Sequence, residues 1–335
     1  MRIAVDVMGG DHGCAVVIEG VKQALETDGS IAALYLVGNE ADINPARKHA
    51  SLRDSRIEVI HASEVLTMED KPQSIRSKKD SSMGRAIELV YEGKADAIIS
   101  PGNTGALVAG SLKLRRLEGV ERPALAARMP SRTNDFVLLD AGASPVCEPL
   151  HLAQFAVMGS VYAKELLELE RPRVGILSNG SEESKGNELT REAAKLCAKL
   201  DLNFIGYVEG FDLFSDAVDV AVADGFTGNI VLKTAESLGY AIKSLLKTEL
   251  TASPIRQLGA TLAKGGLMKL KQRMDPEVYG GAVLLGLNGI VIKAHGSSRE
   301  RAIANAIRVA TEEISHGVNQ IISEQITSAS KRLAA

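Results

Sequence analysis

The chain is constrained most by an alternation in its sequence. Short β-branched runs give way to polar turns, and these to stretches with apolar residues at helical spacing. Residues 3–7, 34–37, 57–60, 97–100, 174–177, 204–207, 218–223 and 290–293 read as strands. Residues 15–25, 41–50, 81–92, 104–117, 151–167, 189–199, 228–250 and 299–326 read as helices. Two further runs, 124–129 and 136–139, flank the polar turn 130–135 and carry a hairpin signal. Strands alternating with crossover-length helices predict an α/β fold: a mostly parallel sheet with helices on both faces, to which the hairpin adds antiparallel strands. At 335 residues the chain is longer than an average domain, yet no low-complexity linker divides it. The expectation is a single α/β unit over 1–335, undivided or in two lobes.

Five strand ends share one design: an apolar strand, a glycine-containing polar turn, then a helix. They read Val5-Asp6-Val7-Met8-Gly9-Gly10-Asp11-His12, Ile99-Ser100-Pro101-Gly102-Asn103-Thr104-Gly105 and Leu177-Ser178-Asn179-Gly180. The last two are Val222-Ala223-Asp224-Gly225-Phe226-Thr227-Gly228-Asn229 and Ile292-Lys293-Ala294-His295-Gly296-Ser297-Ser298. In an open parallel sheet such turns collect at the carboxyl edge, where ligands bind. Glycine lets the backbone approach a ligand, and the helix start behind it offers free N–H groups to an anion. One βα turn is only a connector. Five of them, rich in Asn, Thr, Ser, Asp and His, predict a shared site for an anionic ligand.

Other classes fall away. No G-x-x-x-x-G-K-[ST] loop is present, no G-x-G-x-x-G follows a strand, and no G-x-S-x-G elbow occurs. Only His12 and His295 of the six histidines sit in the glycine turns, where each reads equally as a turn-stabilising residue or as chemistry. Cys14, Cys147 and Cys197 are far apart, with no C-x-x-C pair, so they read as reduced thiols and not as a zinc site or disulfide framework. With 39 basic against 42 acidic residues the net charge is −3, and Trp is absent, which argues against a nucleic-acid partner. The first apolar run meets Asp6 too early for a signal peptide, and no uncharged stretch reaches ~20 residues. A soluble, cytoplasmic protein is expected. Residues 74–83 read either as a phosphate-binding helix start or as a solvated loop with an N-cap, and the charge run 182–188 as a solvated face.

With these turns in view, the chain resembles the phosphate acyltransferase family of bacterial phospholipid synthesis. The resemblance runs through the first, second, fourth and fifth turns and through residues 74–83. It continues in Arg122-Pro123-Ala124-Leu125 and Gln154-Phe155-Ala156-Val157-Met158-Gly159-Ser160-Val161, so it spans nearly the whole chain. Gly13-Cys14 stands where the family usually has Ala-Pro, and Pro101 where it usually has Ala. Residues 141–147 and 178–181 match loosely. The resemblance implies transfer of a fatty acyl group from acyl carrier protein to inorganic phosphate. The acyl phosphate formed would pass to a membrane glycerol-3-phosphate acyltransferase. It also implies a homodimer, no metal or organic cofactor, and a fold similar to isocitrate/isopropylmalate dehydrogenases and phosphotransacetylases. The competing readings are a coenzyme A-dependent phosphotransacetylase and a non-catalytic anionic-ligand sensor or membrane scaffold.

Phosphate is already an anionic nucleophile and a thioester already has a good leaving group, so no activated Ser or Cys is required. Catalysis then rests on holding the anion against the carbonyl and stabilising the oxyanion with several convergent donors. The catalytic candidates are Lys293, His295, His12 and Asp11. Gly102, Asn103, Thr104, Asp224, Thr227, Asn229, Ser297 and Ser298 are the substrate-binding candidates, gathered with them at one pocket on the carboxyl edge. Lys293 ends an apolar strand, where it either neutralises phosphate or snorkels to solvent. Asp11 either orients His12 or caps the following helix. Residues 250–274 hold Arg256, Lys264, Lys269, Lys271 and Arg273 and no acid. Two apolar stripes there, separated by Gly265-Gly266, predict a protruding tip of two short amphipathic segments suited to an anionic membrane surface. Packing on a dimer partner and docking of the carrier are the alternatives.

Overall fold

The structure is a computed structural model that describes residues 1–334; Ala335, the last residue of the expected unit, lies outside them. The chain opens with β1 (Arg2–Asp6), α1 (Cys14–Thr27), β2 (Ala33–Gly38), α2 (Glu40–His49) and β3 (Ile57–His61). It continues with α3 (Ser82–Tyr91), β4 (Ala97–Ser100), α4 (Thr104–Ser111), β5 (Ala124–Pro130), β6 (Asp135–Leu139) and α5 (Pro149–Leu166). Then come β7 (Arg173–Leu177), α6 (Glu188–Cys197), β8 (Asn203–Val208), β9 (Val220–Val222) and α7 (Gly225–Thr251). The last part holds α8 (Pro254–Leu262), α9 (Lys264–Arg273), β10 (Ala282–Leu285), β11 (Ile290–Lys293), α10 (Glu300–His316) and α11 (Val318–Ala334).

All eleven strands join one sheet in the order β3-β2-β1-β4-β11-β10-β5-β6-β9-β7-β8. Side chains alternate across it, as a period of two requires. Ile3, Val5, Ala97 and Ile99 enter the core layer beneath α1, α5, α10 and α11, whereas Ala4 and Ile98 enter the layer beneath α3 and α4. Both faces are covered, so these short strands read as unbroken apolar runs.

The strands do not all run one way. β3, β2, β1, β4 and β11 are parallel, but β10 is antiparallel to both β11 and β5, and β5 is antiparallel to β6. β9, β7 and β8 then follow β6 in parallel. The second half therefore runs opposite to the first. This corrects the expectation of one carboxyl edge for all five glycine turns. Those after β1, β4 and β11 share one edge, and those after β7 and β9 lie at the other.

Two helix boundaries and one strand also differ. Helix 299–326 is two helices, broken at Gly317, whose φ of 63° is the left-handed conformation of a helix stop. Helix 104–117 ends at Ser111 in a single 3₁₀ turn. Strand β10 was not anticipated: its four residues are all buried, so it shows no alternation, and such short runs carry no period.

Candidate active site

Helix α7 is the element that joins the two edges. Asp224 caps it, its carboxylate accepting from the Phe226 and Thr227 amides and, at 2.7 Å, from the Thr227 hydroxyl. The first turn presses onto residues 140–144. A Cβ on Gly228 would lie 1.9 Å from the Asp140 carbonyl oxygen, so only glycine fits there. At 27 residues the helix is ~40 Å long, enough to reach from the second half's edge to the first half's.

Two buried aspartates hold the backbone at these edges. Asp140 accepts from the amides of Leu125, Gly142, Ala143 and Ser144. Asp6 accepts from the Ser100 hydroxyl at 2.7 Å and from the Met8 amide at 3.2 Å. Burial pushes both carboxyls up, and these hydrogen bonds oppose the shift.

Between α7 and strands β5 and β10 lies a cavity of about 850 Å³. His12, Thr104, Asn229, Lys293, His295, Ser297 and Ser298 line it, joined by Lys233 and Glu236 from α7. Its other flank is apolar, with Leu232, Leu246 and Leu250 facing Leu267, Leu270 and Met274. One enclosure thus offers cationic and hydroxyl groups beside a hydrocarbon wall.

Lys293 is 9% exposed, and its Nζ donates to the carbonyls of Pro101, at 3.4 Å, and Ala294. Burial, reinforced by Lys233, pushes the ammonium down to about 8, against the pull of Asp6, Asp11 and Glu236. The His295 ring accepts at Nδ1 from the Ser297 amide at 3.2 Å, so the neutral ring carries its proton on Nε2. That nitrogen faces Glu236 Oε2 at 3.7 Å and Lys233 Nζ at 3.4 Å, while Lys233 donates to Glu236 at 2.8 Å. Burial lowers the His295 pKa, with Lys233 and Lys293 adding to it and Glu236 opposing.

The remaining candidates stand apart from this lining. The Asn103 side chain caps α4 through the Ala106 amide and donates to the carbonyls of Thr67, Met68 and Asp70. Gly102 brings its backbone against Met83 and Ser100, where a Cβ would lie 2.7 Å from Met83 Cε. Asp224 and Thr227 are engaged with each other at the α7 cap. Asp11 sits on the 295–298 turn, its amide donating to the Gly296 carbonyl at 2.9 Å. It neither caps α1, whose N-cap Gly13 has no side-chain bond, nor hydrogen-bonds His12 among the described contacts. In residues 74–83 the N-cap reading is the one that forms: Ser81 accepts from the Gly84 amide, and Lys78 pairs with Asp70 at 2.7 Å.

Sequence reasoning missed Lys233 and Glu236. Three residues apart on a helix, they read as an ordinary surface ion pair. The seating of α7 on residues 140–144 puts both in the cavity lining, Glu236 half-buried and Lys233 still exposed. The 250–274 segment forms two short helices as expected, but the break falls at Ala263, and Gly265-Gly266 lie inside α9. Its two stripes have different fates: Leu267, Leu270 and Met274 line the cavity, whereas Ile255 and Leu262 are 84% and 82% exposed.

This architecture is that of an α/β enzyme built on one mixed sheet. The fold is similar to a phosphotransacetylase from Streptococcus pyogenes, with a TM-score of 0.63, 18% identity and 94% of each chain covered. It is also similar to the EutD phosphotransacetylase from Staphylococcus aureus, with a TM-score of 0.59, 18% identity, and 93% of this chain and 94% of that one covered. Residues 1–321 match the family model described as fatty acid synthesis protein. A phosphate acyltransferase of Brevibacillus brevis is 47% identical over 330 residues, covering 97% of each chain. One of Geotalea daltonii is 44% identical over 328 residues, covering 97% of this chain and 94% of its own. The chain belongs to this family and is an acyltransferase.

Proposed function

We propose that the enzyme transfers a fatty acyl group from the thioester of acyl carrier protein to inorganic phosphate. The observation that carries this reading is the two-sided cavity, with Lys293, His295, Lys233, Thr104 and Ser297 on one side and an apolar wall of α7 and α9 on the other. Lys293 and Lys233 neutralise the phosphate. A phosphate oxygen attacks the thioester carbonyl carbon and the carbonyl becomes an oxyanion; C=O re-forms as the C–S bond breaks, and the carrier leaves as a thiolate that takes up the proton given up by hydrogen phosphate. Donors such as the Nε2–H of His295 stabilise that oxyanion in this reading, and one such donor is worth ~2.7–4 kcal/mol. The apolar wall receives the acyl chain at ~0.8 kcal/mol per buried CH₂.

The product is reactive, water-labile and amphiphilic, which favours delivery at a membrane to a glycerol-3-phosphate acyltransferase. Among the described residues no helix is long and apolar enough to cross a membrane. Peripheral binding through α8, with its outward Ile255, Leu258 and Leu262 between Arg256, which pairs with Glu249, and Lys264, brings a cytoplasmic enzyme to an anionic surface. The outward Ile230, Leu238 and Leu245 of α7 recur at eight and seven residues on one face and suit pairing with a second copy as a homodimer. Mass spectrometry of the enzyme mixed with phosphate and acylated carrier tests the activity, acyl phosphate being expected. Its absence, or faster turnover when coenzyme A replaces the carrier, overturns the reading.

A further inference from the structure

A second cavity of about 680 Å³ lies on the far side of residues 141–144. Arg115, Arg116 and Arg122 line it with Gly119, Ala143 and Ser144. All three arginines are exposed, and none is ion-paired among the described residues. Arg116 does donate to the Glu121 carbonyl. Of the two acids in the same loop, Glu121 is engaged by His151 at 3.2 Å, and Glu118 points to solvent. Arg115 is held at φ 61°, a conformation that side chains rarely adopt, at the tip that borders the cleft. Three guanidinium groups without a carboxylate partner in eight residues, within a chain of net charge −3, suit this cleft to carboxylates or phosphate esters.

The cleft adjoins the active-site cavity across residues 141–144. Ala141 and Gly142 line the first cavity, and Ala143 and Ser144 line the second. Helix α4 likewise presents Thr104 to one cavity and Val108 to the other, with Leu112 just beyond it. Eight residues of helical chain from Thr104 to Leu112 span ~12 Å. A phosphopantetheine arm is longer than this, and it carries a phosphodiester at its protein end and the thioester at its tip.

Resting on the carrier reading above, we infer that the arginine cleft seats the acidic face and arm phosphodiester of the acyl carrier, while the arm passes residues 141–144 to present its thioester to Lys293 and His295. The arginines choose the carrier and steer its approach, and the chemistry stays in the first cavity. Lys293 lies at the opposite sheet edge, so inorganic phosphate and the carrier enter from different ends.

The full chain carrying Arg115→Glu with Arg122→Glu tests this, with Arg115→Gln/Arg122→Gln as a milder pair and circular dichroism to verify folding. Fluorescence anisotropy of labelled acylated carrier should give a Kd about ten-fold or more weaker for the charge reversal, with a shallower salt dependence. The KM for phosphate should be unchanged. Apo-carrier, which lacks the arm, separates the two anions: an equal loss assigns the acidic protein face, and a loss confined to arm-bearing carrier assigns the phosphodiester. An unchanged Kd overturns the proposal, as does a parallel rise in the KM for phosphate. Lost binding to phosphatidylglycerol vesicles with intact carrier affinity would make the cleft a lipid contact and also overturn it. Wild-type turnover is measured first. If it is absent, the carrier reading itself fails; if it is present with an unchanged variant Kd, only the cleft assignment fails.

Discussion

Lys293 holds a charge where the protein solvates it poorly. Its pKa is pushed down from 10.5 to about 8, so the folded protein binds fewer protons than the unfolded chain between those values. Stability attributable to this group therefore rises with pH through that window, and the penalty is complete below about pH 8. A phosphate anion in the cavity would relieve it. Lys293→Met removes the buried charge, so the melting temperature near neutral pH should be equal or higher while the KM for phosphate rises at least ~10-fold. In the wild type, phosphate affinity should weaken as pH climbs past about 8, and calorimetric titration with phosphate across pH 6.5–9.5 reads both effects. A variant that melts earlier and binds phosphate normally would make Lys293 a structural residue. The two cavity histidines are distinguishable in the same way. His295 is held by Ser297 and faces Glu236, whereas His12 lines the cavity from an exposed position with no such partner among the described contacts. We expect His12→Asn to keep the parent pH–rate profile and His295→Asn to lose ~10²-fold in kcat. Parallel profiles settle it, and a limb that disappears only in His12→Asn reverses the assignment.

At the scale of elements, α7 to α9 form an arm whose inner face is the cavity wall and whose outer tip is apolar and basic. Leu258→Glu or Leu262→Glu should reduce sedimentation with anionic vesicles several-fold, make the remainder salt-sensitive, and leave turnover in solution intact. If these changes instead split a dimer while vesicle binding persists, the tip is a subunit contact. The arm also shows where reading stopped at the sequence level. Two apolar stripes in different phase were visible in residues 250–274, yet helical period cannot say which stripe meets a cavity and which meets solvent. Ser253 and Pro254 mark the start of α8 by chemistry, but nothing local marks the break at Ala263. Lys233 and Glu236 were equally silent, because their role depends on Gly228 meeting the Asp140 carbonyl across 88 residues. Lys293, His295, Thr104, Asn229 and Ser297 were legible because glycine-rich turns after strands carry their own local signal. Asn103, Asp224 and Thr227 carry that signal too, but here it reports caps.

At the scale of the whole molecule, the described core holds a buried acid without a partner. Both carboxylate oxygens of Glu313, on α10, are buried without a hydrogen-bond partner among the described residues. Burial, with a smaller push from Glu312, raises this group from 4.5 to about 8. Its contribution to stability is present below the ordinary carboxylate range and is lost as pH rises toward about 8. Glu313→Gln should flatten that decline and raise the melting temperature at pH 8 by roughly 2–4 °C, with little change at pH 5. Equal pH slopes in the two proteins would clear Glu313 of responsibility. The alternation of strands and helices told the fold class correctly, whereas the reversal of direction at β10, β5 and β6 was only half visible. The hairpin announced one antiparallel pair, and the buried β10 announced nothing.

That reversal has a mechanical meaning. Antiparallel ladders stitch both halves into one uninterrupted sheet, so the halves cannot gape like a clamp without breaking backbone hydrogen bonds along β10 and β5. The sheet acts as a beam, and the α7–α9 arm is a latch laid across it. A long hydrocarbon chain would then have to enter past this latch and not between the halves of the sheet. If the tip rests on a bilayer as proposed, turnover there should track the fluidity of that lipid.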